Sequence, residues 1–262
     1  MSNLPIWAQP PPGARKPRFT REQIAAAALQ IADKDGFGEL SMRRVADALG
    51  AGTMTLYYYI RTKDDLLELM DDALMAEVVN ASTPLPKHWR AAIETIARGT
   101  RATFSRHRWA LTAMEGARMG GPNNLRHMEQ SLTAIASLDL PTPTKFELLS
   151  IVDDFVFGTA LRERDTQLEL TPESLTTLND LTKHFLAQGE YPHLQALIGD
   201  REPVDAFGSF AESVMDGGRF ERGLAMILDG FSAKYGLSDR PAAKPRRGAQ
   251  HARKPAVSRR RR

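Results

Sequence analysis

No cysteine occurs among the 262 residues, which excludes a disulfide framework, thiolate metal ligation and a cysteine nucleophile. No run of 18 apolar residues occurs either, and the opening segment MSNLPIWAQPPPGARKPRF has no apolar stretch of signal-peptide type. The sequence therefore predicts a cytoplasmic protein that does not enter a membrane. The six histidines, at positions 88, 107, 127, 184, 193 and 251, lack H-E-x-x-H or comparable ligand spacing, and nucleophile-elbow, P-loop and dinucleotide fingerprints are missing. The adjacent pairs Asp71-Asp72 and Asp153-Asp154 diverge by about 100° on a helix and form no facing carboxylate dyad. Together these absences predict no catalytic residue, no metal site, no cofactor and no enzyme. No alternating pattern of half-buried strands competes with the helical periodicity, so the chain reads as all-α.

Charge is unevenly spread although its sum is only +3. Residues 1–63 carry 9 Lys/Arg against 5 Asp/Glu, residues 64–239 carry 16 against 27, and residues 240–262 carry 10 against none, which gives +4, −11 and +10. Basic ends around an acidic middle place phosphate binding at the ends and self-association or small-molecule binding in the centre. Residues 1–18 are rich in proline and are expected to be unfolded. Arg15, Lys16 and Arg18, with Arg21 just beyond, make the end of this arm basic, so it either follows a DNA backbone or groove or is a solvated tail. Residues 238–262 end in four arginines and are expected to be a disordered tail that adds sequence-independent phosphate contacts.

The most informative stretch is SMRRVADALGAGTMTLYYYIRTK, from Ser41 to Lys63. Ser41 is a good N-cap, Val45, Ala48 and Leu49 share one helix face, and Gly50 stands where a left-handed C-cap is wanted. After the Ala51-Gly52 turn, Thr53 is placed to cap a second helix, Met54 to Ile60. On it Leu56 and Ile60 point inward, Met54, Thr55 and Tyr58 point outward, and Tyr57 and Tyr59 lie on the flanks. Helix, short glycine turn and helix is the arrangement that lays a second helix in the major groove. Thr hydroxyls can bond base edges, Met can touch a thymine methyl, and Tyr hydroxyls can reach phosphates. Arg43 stands near the start of the first helix, within reach of a guanine or phosphate. The competing reading is a helical hairpin whose tyrosines pack on a neighbour. A capping box at Thr20 and Gln23 opens the helix before it, so helices at 20–35, 42–49 and 54–60 form a small three-helix bundle over residues 19–63.

The run LSMRRVADALGAGTMTLYYYIRTKDDLLELM resembles the DNA-binding segment of the tetracycline-repressor (TetR) family. Thr55-Leu56-Tyr57, Tyr58-Tyr59 and Lys63 fill the places of its signature triplet, further aromatic and helix-opening lysine. The resemblance covers about Phe19 to Val79, with a weaker likeness to the tetracycline-repressor type of C-terminal domain over about Thr144 to Leu237, and it implies a bacterial source. It implies a base contact for Arg43, a groove-side position for Met54, Thr55 and Tyr58, and phosphate contacts for Tyr57 and Lys63. Thr53 and Tyr59 complete the candidate DNA-binding set. Met54 departs from the small, polar or proline residue more usual at its position, so the operator sequence cannot be transferred from a relative.

Thr62 to Asp65 is a second capping arrangement, and Leu66, Leu67, Met70, Leu74 and Val78 mark one face of a helix to about Asn80. This helix is long enough to act as a lever between the bundle and a larger helical domain over 64–237. Further helices are expected near 87–105, 108–118, 123–138, 144–165, 172–187 and 206–235. Apolar residues nearly encircle 146–161, which predicts a helix buried on all sides. The last helix carries a stripe of Phe220, Leu224, Ile227, Leu228, Phe231 and Tyr235. An isologous dimer in which these two helices and their symmetry mates form a four-helix bundle follows, with Phe146, Leu149, Val156, Phe220, Leu224, Ile227 and Phe231 at its interface. An intramolecular core is the competing reading.

The resemblance also implies an apolar pocket in the middle domain whose small-molecule effector shifts the lever and spreads the recognition helices. Candidate lining residues are Phe104, Trp109, Met114, Arg118, His127, Asp154 and Phe155. A tetracycline–Mg²⁺ site is not supported by the histidine spacing. The leading expectation is thus a homodimeric repressor that binds a double-stranded operator and is released by an apolar or drug-like ligand. The alternative is a DNA-organising or membrane-surface protein acting through its basic ends.

Overall fold

Thr20 opens helix α1 (Arg21–Asp35) through the expected capping box: its hydroxyl accepts from the Gln23 N–H at 3.2 Å and the Gln23 side chain accepts from the Thr20 N–H at 2.9 Å. The structure, a computed structural model, describes residues 6–8, 18–113, 120–165, 171–214 and 216–237. Within these residues there are twelve α-helices and no strand. Helices α2 (Met42–Ala48) and α3 (Thr53–Tyr57) complete a head around the buried side chains Ile24, Ala28, Leu40, Val45, Leu56 and Ile60. Ser41 caps α2 as expected, its hydroxyl accepting from the Arg44 N–H at 3.3 Å.

Helix α4 (Lys63–Ala81) leaves the head behind its own capping box, Thr62 with Asp65. Nineteen residues at 1.5 Å rise make it about 28 Å long. Its apolar side chains, Leu66 to Val78, belong to a cluster that also holds the head core, Phe104, Ala110 and Ala160. Head and body thus share packing through one rod. The body adds α5 (Trp89–Arg106), α6 (Ala110–Ala113), α7 (Pro122–Ile135), α8 (Thr142–Asp165) and α12 (Arg219–Tyr235). They enclose a second cluster of Trp89, Ile93, Ile96, Ile135, Leu148, Val152, Val156, Phe220, Leu224, Leu228 and Phe231.

A buried carboxylate ties α4 to α7. Asp72 accepts from the backbone N–H groups of Asn123 (2.7 Å) and Asn124 (3.3 Å) and from Asn123 Nδ2 (2.7 Å), at the helix end whose dipole favours a negative charge. A Cβ on Gly121 would fall 2.0 Å from the Asp72 carboxylate, so only glycine fits there.

Helices α9 (Pro172–Leu186), α10 (Pro192–Ile198) and α11 (Pro203–Val214) pack on one another around Leu186, Ile198 and Ala206. Two departures from the sequence expectation lie here. The region 206–235 is two helices, broken at Asp216-Gly217-Gly218, and α10, with about two turns, is shorter than the window that reveals periodicity. Of the helix expected over 108–118 the structure describes α6; residues 114–119 lie outside the described residues. Helix α8 is not buried all round either: Leu148, Val152, Val156 and Ala160 face the core, while Phe146, Ile151, Phe157 and Leu161 are exposed.

The amino-terminal arm, expected to be unfolded over 1–18, contains a 3-10 turn at Ile6–Ala8. Ile6 is fully buried and its N–H donates to Glu68 Oε2 of α4 at 3.3 Å. An apolar Ile6-Trp7 pair amid prolines was the visible signal, outweighed in a composition-based reading by its surroundings.

Candidate nucleic-acid interface

Helix α2 ends at a turn whose Gly50 has φ +62°, the left-handed conformation expected from its position. The Ala51 N–H donates to Ala46 O at 2.9 Å, which folds the turn back and fixes the angle of α3. That helix is shorter than expected: it spans Thr53–Tyr57 with Gly52 at the N-cap and no side-chain cap, so Thr53 is its first residue rather than its cap. Leu56 and Ile60 are the inward anchors, both fully buried. Met54 is 82% exposed and Tyr58 58% exposed, while Tyr57 is also exposed and Thr53 and Thr55 are half-buried beside them. Large side chains this open on a head otherwise built around apolar packing mark a surface kept for contact rather than for stability. Arg43 is exposed on α2, 3.9 Å from Asp47.

Tyr59 does not belong to this face. It is 8% exposed, and its hydroxyl accepts from the backbone N–H groups of Arg18 (2.8 Å) and Phe19 (3.4 Å). The Phe19 ring meets it edge-on at 5.9 Å. Because the helix stops at Tyr57, the next residues turn under the head, and the third tyrosine clamps the arm instead of flanking a groove. Arg18 is committed as well, its Nη2 donating to Gly50 O at 2.7 Å, so it braces the turn.

Lys63, at the first position of α4, is exposed, and its ammonium lies 5.6 Å from the centroid of the Phe37 ring. At this helix start the buried Asp65 carboxylate already accepts from the N–H groups of Arg61 (2.8 Å) and Thr62 (3.1 Å).

The effector candidates divide. Phe104 is buried and meets Phe157 of α8 edge-on at 4.8 Å, and His127 lies on α7 with its Nδ1 enclosed. Trp109 instead sits at the joint between body and head, its Nε1 donating to Asp33 Oδ1 of α1 at 2.7 Å and its ring stacked on Phe37 at 5.4 Å. Asp154 is on the solvent side of α8. Phe155 is core: it stacks on Phe220 at 5.5 Å, and its ring fills the space a Cβ on Gly223 would need, 2.6 Å away. Met114 and Arg118 lie outside the described residues.

Four buried polar atoms have no partner among the described residues: Ser82 Oγ, Trp89 Nε1, His127 Nδ1 and Gln130 Oε1. Gln130 Nε2 bonds Val79 O and Thr83 Oγ1, which flank Ser82 in the chain, and His127 precedes Gln130 by one turn of α7. Burial holds the His127 pKa below its ordinary 6.5. The folded state therefore keeps the ring neutral where the unfolded chain is already protonated, so stability attributable to it is lost as pH falls through 6.5. Denaturant midpoints measured at pH 7.5 and 5.5 should differ less in His127→Asn than in the wild type. An undiminished difference would show that the ring is solvated.

The expected dimer residues are also redistributed. Val156, Phe220, Leu224 and Phe231 are buried inside the chain's own second cluster, and Leu149 and Ile227 are half-buried at its edge. The apolar stripe of α12, expected at a dimer interface, packs toward α5 and α8 of the same chain. What α8 and α12 leave open is a groove lined by Glu147, Leu148, Ile151, Met226, Ile227, Gly230, Phe231 and Lys234, with Phe146 exposed on α8.

An all-α chain with an exposed short helix after a glycine turn, coupled by a long rod to a second helical domain, is a helix-turn-helix DNA-binding regulator with a sensing domain. Residues 24–70 match the family model described as bacterial regulatory proteins, tetR family, and residues 83–235 the one described as tetracyclin repressor-like, C-terminal domain. The chain belongs to the TetR family of transcriptional regulators. It is 35% identical over 213 residues to the HTH-type transcriptional repressor DrrR1 of Streptomyces coeruleorubidus, covering 77% of this chain and 78% of that one. An HTH-type transcriptional regulator of Saccharopolyspora erythraea is 30% identical, with 88% and 93% covered. Among solved structures, apo ActR from Streptomyces coelicolor superposes with a TM-score of 0.63 at 27% identity, over 85% of this chain and 99% of that one, and ActR has also been solved with actinorhodin. The chain is accordingly a ligand-responsive DNA-binding repressor and not an enzyme; members of the family act as dimers on operator DNA. No helix among the described residues is long and apolar enough to cross a membrane.

Proposed function

We propose that a homodimer of this chain binds a two-fold operator in the cytoplasm with Met54, Thr55 and Tyr58 toward the base edges. Thr53, Tyr57 and Lys63 then contact phosphates, and Arg43 a base or phosphate beside them. The observation that carries this reading is the exposure of Met54 on α3 and of Tyr58 at its C-cap, on a segment anchored from the other side by the fully buried Leu56 and Ile60. Dimerisation uses the open face of α8 and α12, Phe146, Ile151, Met226, Ile227 and Gly230, so each protomer presents the same patch to the other.

The effector in this reading is a planar aromatic molecule with hydrogen-bonding substituents. Support comes from the likeness to ActR, solved with actinorhodin, and from the unpartnered buried atoms Ser82 Oγ, His127 Nδ1 and Gln130 Oε1, which need a partner to offset their desolvation. Aromatic polyketide quinones such as actinorhodin, titrated into the complex of the protein with DNA it has selected from a random pool, should release the DNA. If no aromatic quinone shifts the complex while the selected DNA remains tightly bound, the effector class is wrong and the DNA-binding assignment stands.

A further inference from the structure

Between body and head lies a set of contacts that neither groove recognition nor effector binding uses. His107 caps the end of α5 and is buried. Its Nδ1 is 2.8 Å from Asp33 Oδ1 of α1, and its Nε2 is 3.2 Å from Glu77 Oε2 of α4, which also accepts from Arg106 Nη2 at 2.6 Å. Two residues on, Trp109 Nε1 donates to the same Asp33 oxygen. An ionised carboxylate only accepts, so both the indole and the Nδ1 position carry protons toward it. One side chain of the head thus holds the elbow between α5 and α6 at two points. The Trp109 ring lies almost parallel to Phe37, with an interplanar angle of 11°. Phe37 belongs to the 3-10 turn between α1 and α2, and on it rests the Lys63 ammonium at 5.6 Å, within the range of a cation–π attraction.

We propose that Trp109, a residue of the sensing domain, is a positioning residue for the Lys63 phosphate contact. The elbow stacks Trp109 on Phe37 and so fixes its ring, and Phe37 holds the flexible Lys63 side chain near it, pre-organised for a phosphate. A lysine loses rotamer freedom when fixed, so a plate that restricts it beforehand lowers the cost of the contact. Phe104, inside the body and one turn before His107, gives an effector a short route to the elbow. Withdrawal of Trp109 from Phe37 would then release Lys63 without any change in α3. The inference rests on the assignment of Lys63 to a phosphate in the preceding subsection.

Salt dependence separates this role from a merely structural one. Each phosphate contact contributes about 0.9 to the slope of log affinity against log salt, so a symmetric dimer that loses the Lys63 contact should lose close to 2. Full-length protein and its selected DNA are to be compared between about 50 and 200 mM salt. Lys63→Met, Phe37→Leu and Trp109→Leu are each expected to flatten the slope by that amount. Lys63→Met combined with Trp109→Leu should flatten it no further, and Trp109→Phe, which keeps a stacking ring, should retain the wild-type slope. If Phe37→Leu and Trp109→Leu weaken binding with the slope unchanged, Trp109 only packs and the inference is overturned. An unchanged slope in Lys63→Met removes the phosphate assignment itself, and the inference with it. Phe37→Leu lies outside the elbow, so the comparison survives if Trp109→Leu fails to fold.

Discussion

Tyr58→Ala is expected to weaken binding to the selected operator by roughly 30- to 20,000-fold while leaving low-salt binding to unrelated DNA and the thermal midpoint nearly unchanged. The range follows from about 1–3 kcal/mol for one good contact to a base, counted twice because both half-sites lose it. Stability is spared because more than half of the Tyr58 side chain is open to solvent, and substitutions at such positions stay within about 0.5 kcal/mol. Tyr59→Ala should behave in the opposite way. Its ring is buried against Phe19 and its hydroxyl holds two amides of the arm, so the head should lose stability first. Competition binding with both variants, beside their melting curves, distinguishes adjacent tyrosines that composition treats alike.

Ile151→Glu together with Met226→Glu should produce a monomer with native helix content and an operator affinity lower by roughly 10²- to 10⁴-fold, the gain that joining two binding units confers. Met226 is 72% exposed and Ile151 lines the same groove, so neither substitution disturbs the chain's own core. In a two-fold interface each change is repeated, which places four new carboxylates in an apolar contact that already contains Glu147. Sedimentation would give the mass and anisotropy the affinity. A dimer of undiminished stability would move the interface elsewhere, the arm of α9 to α11 being the next apolar surface, with Leu178, Leu181 and Phe185 exposed.

Much of this molecule is legible in its residues, and the gaps have physical causes. Caps at Thr20, Ser41 and Thr62 are local, so helix starts could be read from three or four positions, and Gly50 marked its turn through the one conformation it makes cheap. The inward pair Leu56 and Ile60 followed from periodicity alone. What periodicity cannot supply is the identity of the neighbour: Phe220, Leu224 and Phe231 form a packing stripe whether the opposite face is a partner or α8 of the same chain. The same holds for Trp109, apolar enough for a ligand pocket but committed by its indole N–H to Asp33, 76 positions away. Tyr59 leaves the groove face because helix α3 ends two residues before it, and helix ends are where periodic extrapolation fails first.

The assignment of α3 to the major groove is tested most directly by changing one outward residue and asking whether the preferred DNA changes with it. Sequencing DNA selected from a random pool by the wild type and by Met54→Arg should give two related palindromes that differ at one symmetric position in each half-site, with a guanine gained there, the base whose edge arginine pairs with best. Identical preferred sequences at equal stringency would mean that residue 54 never meets a base, and the orientation of the head on DNA described here would be wrong.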